Sequence, residues 1–270
     1  MPTLYIVATP IGNLEDMTFR AVRTLKEVAL IASEDTRTTR RLLTHFDIKT
    51  PLTSYFEHNK RTKLDYLLSM LEHGDVALVS EAGMPAISDP GYELVVAAYE
   101  RGFTVTPIPG ASAFISALAV SGLPTDACHY LGYMPRKASD RRRLLGSVAA
   151  ERVTLAVYEA PHRLKNTLHD IMEVLGNRQI AVCRELTKLH EEIFRGTVEE
   201  AITRFPEARG EITMIIGGLT EPAAVDASGV EVRLGELKKA GVTAREAVER
   251  LSFETGLSRR QLYSAWLKLE

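Results

Sequence analysis

The chain has 270 residues, 45% of them hydrophobic and 25% charged, with 33 basic against 35 acidic side chains for a formal net charge of -2. This is the composition of a globular protein at the length where one core gives way to two lobes, and it excludes both a histone-like polycation and an acidic disordered tail. A basic stripe offset by acids elsewhere stays possible, whereas two cysteines, Cys128 and Cys183, make neither a disulfide framework nor a four-cysteine zinc site.

Met1–Tyr5 lacks the basic start of a secretory signal and Pro10 follows at once, so the chain is expected in the cytoplasm. Leu4–Thr9 reads as a strand and Thr18–Val28 as an amphipathic helix. Ala29–Ser33 is a second strand, and Thr36–Phe46 a helix that Asp35 can cap. Asn59–His73 places Leu64, Leu67, Leu68 and Leu71 on one helical face, ahead of a buried strand at Asp75–Ser80. Asp89-Pro90 has the pattern of an N-cap and first-turn proline opening a helix over Gly91–Glu100. Phe103–Ile108 is a strand and Ala111–Ser121 an almost wholly apolar helix. The uncharged run Gly102–Thr125 is broken by Pro107, Pro109, Gly110 and Pro124, and its helical part is shorter than the roughly 20 residues a bilayer requires.

A second lobe begins near Leu123-Pro124-Thr125. Its strands are expected at His129–Tyr133, Val153–Tyr158, Gln179–Glu185, Glu192–Gly196 and Glu211–Ile216, with helices at Asp140–Ala149, Pro161–Leu175 and Val198–Phe205. Some of these strands lack room for a full crossover, which predicts an antiparallel component. Leu219–Val230 reads as a linker, followed by helices at Gly235–Ala240, Ala244–Glu254 and Arg259–Lys268, with Thr243 as a cap and Gly256 at a turn. The run from Ser258 to Tyr263 is patterned like the start of the second helix of a helix-turn-helix, a nucleic-acid reader or simply a helical cap. The fold class is therefore α/β, with residues 1–122 forming a lobe on a mostly parallel sheet and 123–218 a lobe on a mixed sheet. Residues 231–270 form a small helical appendage.

No strand is followed by a G-x-G-x-x-G or G-x-x-x-x-G-K-[ST] loop, no G-x-S-x-G elbow is present, and the histidines have no metal-ligand spacing, so no metal is expected. Three strand-ending loops are instead dense in glycine and proline: Thr9–Leu14, Ser80–Gly91 and Pro107–Ala113. In open α/β sheets the ligand crevice lies beyond the carboxyl ends of the strands, where such residues let backbone approach a ligand closely. These loops are short of lysine and arginine, which disfavours polyphosphate. They suit a ligand that is neutral or cationic, which backbone carbonyls and Glu81 or Asp89 could face: an apolar nucleoside-like or a cationic cofactor.

At these residues the chain resembles a known family. The opening Leu4-Tyr5-Ile6-Val7-Ala8-Thr9-Pro10-Ile11-Gly12-Asn13-Leu14-Glu15-Asp16, with Glu34-Asp35-Thr36-Arg37, the Ser80–Gly91 run, Tyr158–Arg163 and Arg184–Lys188, resembles the bacterial 16S rRNA (cytidine-2′-O)-methyltransferases, a branch of the tetrapyrrole methylase superfamily. Gly83-Met84-Pro85 stands where the superfamily commonly has G-D-P. The resemblance implies a two-lobed tetrapyrrole-methylase-like fold, a homodimer, S-adenosyl-L-methionine in the cleft, and 2′-O-methylation of a cytidine of the 1402 class in the small ribosomal subunit. It assigns the cofactor to Pro10, to Gly83, Pro85, Ala86, Ile87, Ser88 and Asp89, to Pro109, Gly110, Ala111, Ser112 and Ala113, and to Leu186, Ile212, Thr213 and Met214.

A ribose hydroxyl is weakly acidic, so a base or nearby cation should assist its deprotonation. Among cleft-facing polar residues, Glu185 or Lys188 is expected to act on it, with Glu34 and Arg37 as further catalytic candidates. The competing reading makes Glu34, Arg37, Glu159 and Arg184 an ion-pair network joining the lobes. RNA contacts are expected from Arg136, Lys137, Arg141, Arg142, Arg143 and Arg163, with Arg37 also a phosphate clamp and Tyr133 placed to stack on a base. The alternatives are a small-molecule methyltransferase acting on a tetrapyrrole-like ligand, or a non-catalytic ribosome-assembly factor.

Overall fold

A computed structural model describes residues 2–220, 227–255 and 259–269. The chain divides into two compact units, Met1–Gly217 and Gly218–Glu270. Unit 1 holds two five-stranded sheets.

The first sheet contains β1 (Thr3–Val7), β2 (Leu30–Ser33), β3 (Leu52–Ser54), β4 (Val76–Val79) and β5 (Thr104–Ile108), all parallel, in the order β3-β2-β4-β1-β5. Helices α1 (Phe19–Glu27), α2 (Thr36–His45), α3 (Lys60–His73) and α4 (Tyr92–Glu100) cover it. Strands β2 and β4 are buried along their whole length, as central parallel strands must be. Their side chains alternate between two cores. Leu30, Ala32, Val76 and Leu78 meet Leu67, Leu68 and Leu71 of α3 and Leu94 of α4. Ile31, Ala77 and Val79 meet Ala21 and Leu25 of α1 and Leu42 and Leu43 of α2. Thr18 and Asp35 cap α1 and α2 by accepting from the Ala21 and Arg37 amides at 3.1 and 2.8 Å.

The second sheet contains β6 (Cys128–Tyr133), β7 (Thr154–Glu159), β8 (Gln179–Arg184), β9 (Glu192–Thr197) and β10 (Ile212–Ile216), in the order β6-β7-β10-β8-β9. Only β6 and β7 pair in parallel; the other neighbours are antiparallel, as the short connections required. One face packs on α6 (Ala138–Ser147), α7 (Leu164–Leu175) and α8 (Val198–Arg204). The other face carries Ala156, Ala181, Cys183 and Ile215, whose smaller side chains admit Ala117 and Leu118 of α5 (Ala113–Val120). Helix α5 thus ties the first lobe to the second sheet.

Two elements were not expected from the sequence, and two local expectations are corrected. Strand β3 is too short and too polar to show a period, and the 3₁₀ turn at Leu14–Asp16 also has no sequence pattern. Helix α4 is capped by Gly91 and receives no side-chain hydrogen bond, so Asp89 is not its cap. Unit 2 is formed by α9 (Ala227–Lys239), α10 (Ala244–Thr255) and α11 (Arg259–Lys268). Helix α9 begins eight residues before the expected Gly235, inside the stretch read as linker, because Val230 and Leu234 are needed in its core with Ala247, Val248, Leu251 and Leu262. Gly256 and Ser258 lie outside the described residues. Among the described residues no helix is long and apolar enough to cross a membrane, and no group of three or more His, Cys, Asp or Glu side chains could hold a metal ion.

Candidate functional site

Loops at the carboxyl ends of β1, β2, β4 and β5 form the first wall of a cleft between the two lobes of unit 1. The loop after β4 folds back over the end of β1: the Thr9 amide donates to the Gly83 carbonyl at 2.9 Å, and the Gly83 amide returns a bond to the Thr9 carbonyl at 3.0 Å. Ala86 and Ser88, at φ 67° and 65°, hold left-handed conformations that non-glycine residues rarely adopt. Such geometry costs of order 1–3 kcal/mol per residue and persists only where the surroundings dictate it. Two neighbours dictate it here. The Ser88 hydroxyl is bonded to the Tyr130 hydroxyl at 2.6 Å, across the cleft. Gly91, at φ 151°, sits where a Cβ would lie 2.8 Å from Leu78 Cδ2 and 3.0 Å from the Ala86 Cβ. Glycine therefore makes the turn into α4, and Asp89 is left free to face the cleft.

The cleft encloses about 520 Å³. Ile11, Met84 and Ile87 give it an apolar side, and Glu34, Glu81 and Asp89 an acidic one, while no lysine or arginine lines it among the described residues. Burial, followed by the negative charge of Glu34, pushes the Asp89 carboxyl up to about 6. Burial also raises the pKa of Glu34, with Glu81 and Asp35 adding repulsion and a bond from the Glu81 backbone opposing them. Deep at the end of β1, Thr9 is 2% exposed and its hydroxyl has no hydrogen-bond partner among the described residues. Rigid backbone, apolar contact and uncompensated negative charge together suit a ligand carrying positive charge.

The second lobe supplies an aromatic wall. Phe114 and Tyr130 stack at 4.9 Å between centroids, and Tyr158 meets Tyr130 edge-on at 5.4 Å and Tyr133 at 5.3 Å. The Tyr158 hydroxyl accepts from the Phe114 amide at 3.2 Å, fixing the start of α5 against β7. Burial, ahead of the neighbouring phenols, raises the Tyr158 pKa, so the hydroxyl is neutral. Glu159, at the end of β7, is bonded to Arg163, Thr167 and its own following amide at 2.5, 2.5 and 2.7 Å. It is committed to holding its strand end.

A charged cluster stands at the margin of this wall. The Glu185 carboxylate accepts from Lys188 Nζ and from the Glu211 amide, both at 2.9 Å, and Lys188 Nζ lies 3.1 Å from the Glu211 carboxylate. The hydrogen bond from Lys188 leads in lowering the Glu185 pKa. Burial works against the Lys188 ammonium, but its two carboxylate partners outweigh that effect and its pKa is raised. Glu185 is therefore an ionised acceptor and Lys188 a protonated donor. Glu185 and Thr187 are again left-handed, at φ 53° and 68°. The Lys188 stem lies over Gly12, where a Cβ would come within 2.4 Å of it, and lines an open groove of about 860 Å³ with Asn13, Leu14, His45 and Leu189. Glu211 lines the cleft itself.

Of the residues assigned from sequence, Glu34, Gly83, Ile87, Ser88, Asp89, Ser112, Ala113, Ile212 and Thr213 line the cleft. Pro10, Pro85, Ala86, Pro109, Gly110 and Ala111 belong to its supporting loops; a Cβ on Gly110 would meet Ala8 Cβ at 3.0 Å. Met214 is fully buried under α6–α8 and Leu186 sits in the core between the lobes, so neither side chain lines the cleft. Arg37, with its side chain 91% exposed and its nearest acid Asp35 at 3.7 Å, points to solvent rather than into the cleft.

The ion-pair network expected to join the lobes does not form. Arg184 pairs with Glu192 at 3.0 Å and Glu159 with Arg163, both inside the second lobe. Arg141 is also corrected. Its side chain is 5% exposed, ion-paired with Asp170 and bonded to the Pro135 carbonyl at 3.2 Å, which turns it inward and away from any phosphate at the surface. Arg163 is largely held by Glu159 and the Met134 carbonyl, and Arg142 by Asp170 and Glu173. Arg136 and Lys137 are exposed, as is Arg143, which bridges only to Asp140 on its own helix. Glu211 was missed in the sequence; its one signal was its place immediately before the buried strand Ile212–Ile216.

Residues 3–202 match the sequence model of the family described as Tetrapyrrole (Corrin/Porphyrin) Methylases. The chain is 48% identical to "Ribosomal RNA small subunit methyltransferase I" of Halalkalibacterium halodurans over 98% of its own length and 94% of that protein's. It is 49% identical to the Thermotoga maritima protein of the same name, over 81% of this chain and 99% of the relative. The shorter match leaves out about as many residues as unit 2 contains. Among solved structures, diphthine synthase superposes with a TM-score of 0.62 at 10% identity, covering 82% of this chain and 91% of that one. Uroporphyrin-III-C-methyltransferase from Thermus thermophilus gives 0.58 at 18%, covering 80% and 94%. At those identities the likeness is one of fold.

Proposed function

The chain belongs to the tetrapyrrole (corrin/porphyrin) methylase family, and on that premise we propose that it methylates the ribose 2′-oxygen of a cytidine in small-subunit ribosomal RNA, using S-adenosylmethionine. The observation that carries the donor is the cleft, where five acidic residues, Glu34, Glu81, Asp89, Glu159 and Glu211, and no lysine or arginine among the described residues line a pocket of about 520 Å³ built on rigid loops. The relatives' name, held at 40–49% identity, carries the RNA.

The residues present fit that donor. Its sulfonium supplies an electrophilic methyl group and a neutral thioether leaving group. Glu34, Glu81 and Asp89 match its positive charges, and Ile11, Met84 and Ile87 give apolar contact. The Thr9–Gly83 bridge and the Ser88–Tyr130 bond hold the loops in place, and the aromatic wall excludes water, so that an incoming oxygen can be held in line with the methyl carbon and sulfur. Positioning of this kind supplies several kcal/mol of rate enhancement.

As the new O–C bond forms and the C–S bond breaks, the hydroxyl proton must leave. Lys188, protonated and gripped by Glu185 and Glu211, is not a base in this state. It acts as the cation that stabilises charge growing on the 2′-oxygen, with Glu185 as its positioning residue. Glu211, which faces the cleft, takes the proton or passes it to water. Pairing of two copies belongs to the same reading and is checked by light scattering.

The test is transfer of labelled methyl to small subunits from cells lacking this protein, with the modified nucleotide mapped by mass spectrometry. A 2′-O-methylcytidine in the 16S rRNA supports the reading. Labelling of a tetrapyrrole alone, or of a base nitrogen, overturns it. Within that assay Lys188→Met should lower turnover by at least about a hundredfold with donor affinity kept, and Glu185→Gln by less; near-normal turnover in both removes the pair from the chemistry.

A further inference from the structure

Unit 2 carries a surface that methyl transfer does not use. An open groove of about 720 Å³ runs between α10 and α11, lined by Arg245, Arg259, Arg260, Tyr263 and Leu267, with Val248 and Ser264 beneath. No acidic side chain lines it among the described residues. Tyr263 and Leu267 are 48% and 69% exposed, beside a core that already holds Val248 and Leu262. The unit as a whole is not basic: residues 218–270 contain eight arginines and lysines against eight acidic residues. Segregation of three arginines to one groove is therefore a feature of the folded arrangement.

All three arginines stand in the first turns of their helices. Arg245 is the second residue of α10, and Arg259 and Arg260 are the first two of α11, whose opening turn has no acidic residue. Cations there oppose the positive end of the helix dipole, and an anion in the groove would reverse the sign of that interaction. Exposed tyrosine beside guanidinium groups adds a face on which an unpaired base can stack.

We propose that this groove is a second RNA-binding site, in which the arginines contact phosphates and Tyr263 stacks on an unpaired base. The pairing of α10 and α11 has the sequence pattern of a helix-turn-helix, but the deep, narrow major groove of A-form RNA does not admit a reading helix. The contact is thus to backbone and single-stranded bases, holding the substrate without specifying the nucleotide. The Thermotoga maritima relative, which bears the same name at nearly the length of unit 1, fits a role in substrate affinity rather than in the chemistry.

The inference deepens the proposed function, and its test separates the two. Binding of naked 16S rRNA to the full-length chain is measured without methyl donor across a salt series, and methyl transfer is measured independently. The triple variant R245Q/R259Q/R260Q should reduce the slope of log affinity against log salt by about 2, since each phosphate contact contributes about 0.7–0.9. It should raise KM for the RNA about tenfold or more and leave kcat and donor affinity unchanged. Tyr263→Ala should weaken binding with the slope unchanged.

An unchanged slope and KM overturn the inference while methyl transfer by the wild type would still support the cleft's function. Wild-type protein that binds RNA through these arginines but methylates none overturns the function and leaves the groove standing. Weakened binding to assembled subunits alone, with naked rRNA unaffected, points to a ribosomal protein as partner and also overturns the inference. Should the triple variant lose helix content, the single reversals R245E, R259E and R260E decide: a lowered slope in any of them supports the site, and in none overturns it.

Discussion

Asp89 lets the cost of the cleft's negative charge be measured apart from its use. Its carboxyl is raised from 3.8 to about 6 by burial and by Glu34, with Glu81 adding to the repulsion. A shift of about 2 units corresponds to roughly 3 kcal/mol, and solvent reaching this half-buried group reduces that to about 1–3 kcal/mol. The sign follows from proton uptake. Between pH 4 and 6 the folded chain holds a proton at Asp89 that the unfolded chain has lost, so stability falls as pH rises through this window. Above pH 6 the full penalty is present; below pH 4 it is absent.

Asp89→Asn, nearly equal in shape, should therefore stabilise the protein by about 1–3 kcal/mol at pH 8, raising Tm by several degrees, with the gain vanishing towards pH 4. The same variant should weaken donor binding about tenfold or more, because a carboxylate kept at such cost has its return in the bound state. Chemical denaturation at pH 8, 6 and 4.5, with calorimetric titration of the donor, reads both effects. A variant no more stable than wild type at pH 8, or equally stabilised at every pH, would refute the argument that an unpaired buried charge is held there.

Two further substitutions probe the scaffold. Gly91→Ala places a Cβ 2.8 Å from Leu78 Cδ2 in a left-handed conformation and should cost about 2 kcal/mol or more in denaturant unfolding, with donor affinity falling as the Ala86–Asp89 loop shifts. Arg141→Ala leaves Asp170 buried without its principal partner and should destabilise by about 3–5 kcal/mol. It should not lower the salt slope of RNA binding, whereas Arg136→Ala with Lys137→Ala should lower the slope without moving Tm.

The two kinds of arginine show where the sequence was legible and where it was not. Helix positions followed from hydrophobic period and strand positions from short apolar runs: Leu30-Ile31-Ala32 and Val76-Ala77-Leu78-Val79 are apolar throughout, as strands buried on both faces must be, while which core each side chain enters is decided only by the fold. The loops were legible because their glycines and prolines answer to local backbone demands, as at Gly83. Element ends decided by packing were not legible. Nothing local marks Leu52–Ser54 as a strand or starts α9 at Ala227, and Asp89-Pro90 offers a cap that Gly91 pre-empts.

Charge is least legible, because the worth of a charged side chain depends on what folding sets against it. In Arg141-Arg142-Arg143 three identical residues meet three different fates, since one helical turn points the first inward to Asp170, the second along the surface to Asp170 and Glu173, and the third to solvent. Glu81 and Asp89 share the loop after β4, and Glu34 joins them only because β2 pairs in parallel with β4 and brings its own end beside that loop, with no lysine or arginine lining the cleft among the described residues. Separated in this way, acids line the cleft that would hold a cationic donor and exposed arginines occupy surfaces such as the groove of unit 2. That division gives one nearly neutral chain surfaces of opposite charge, which its net charge of -2 conceals.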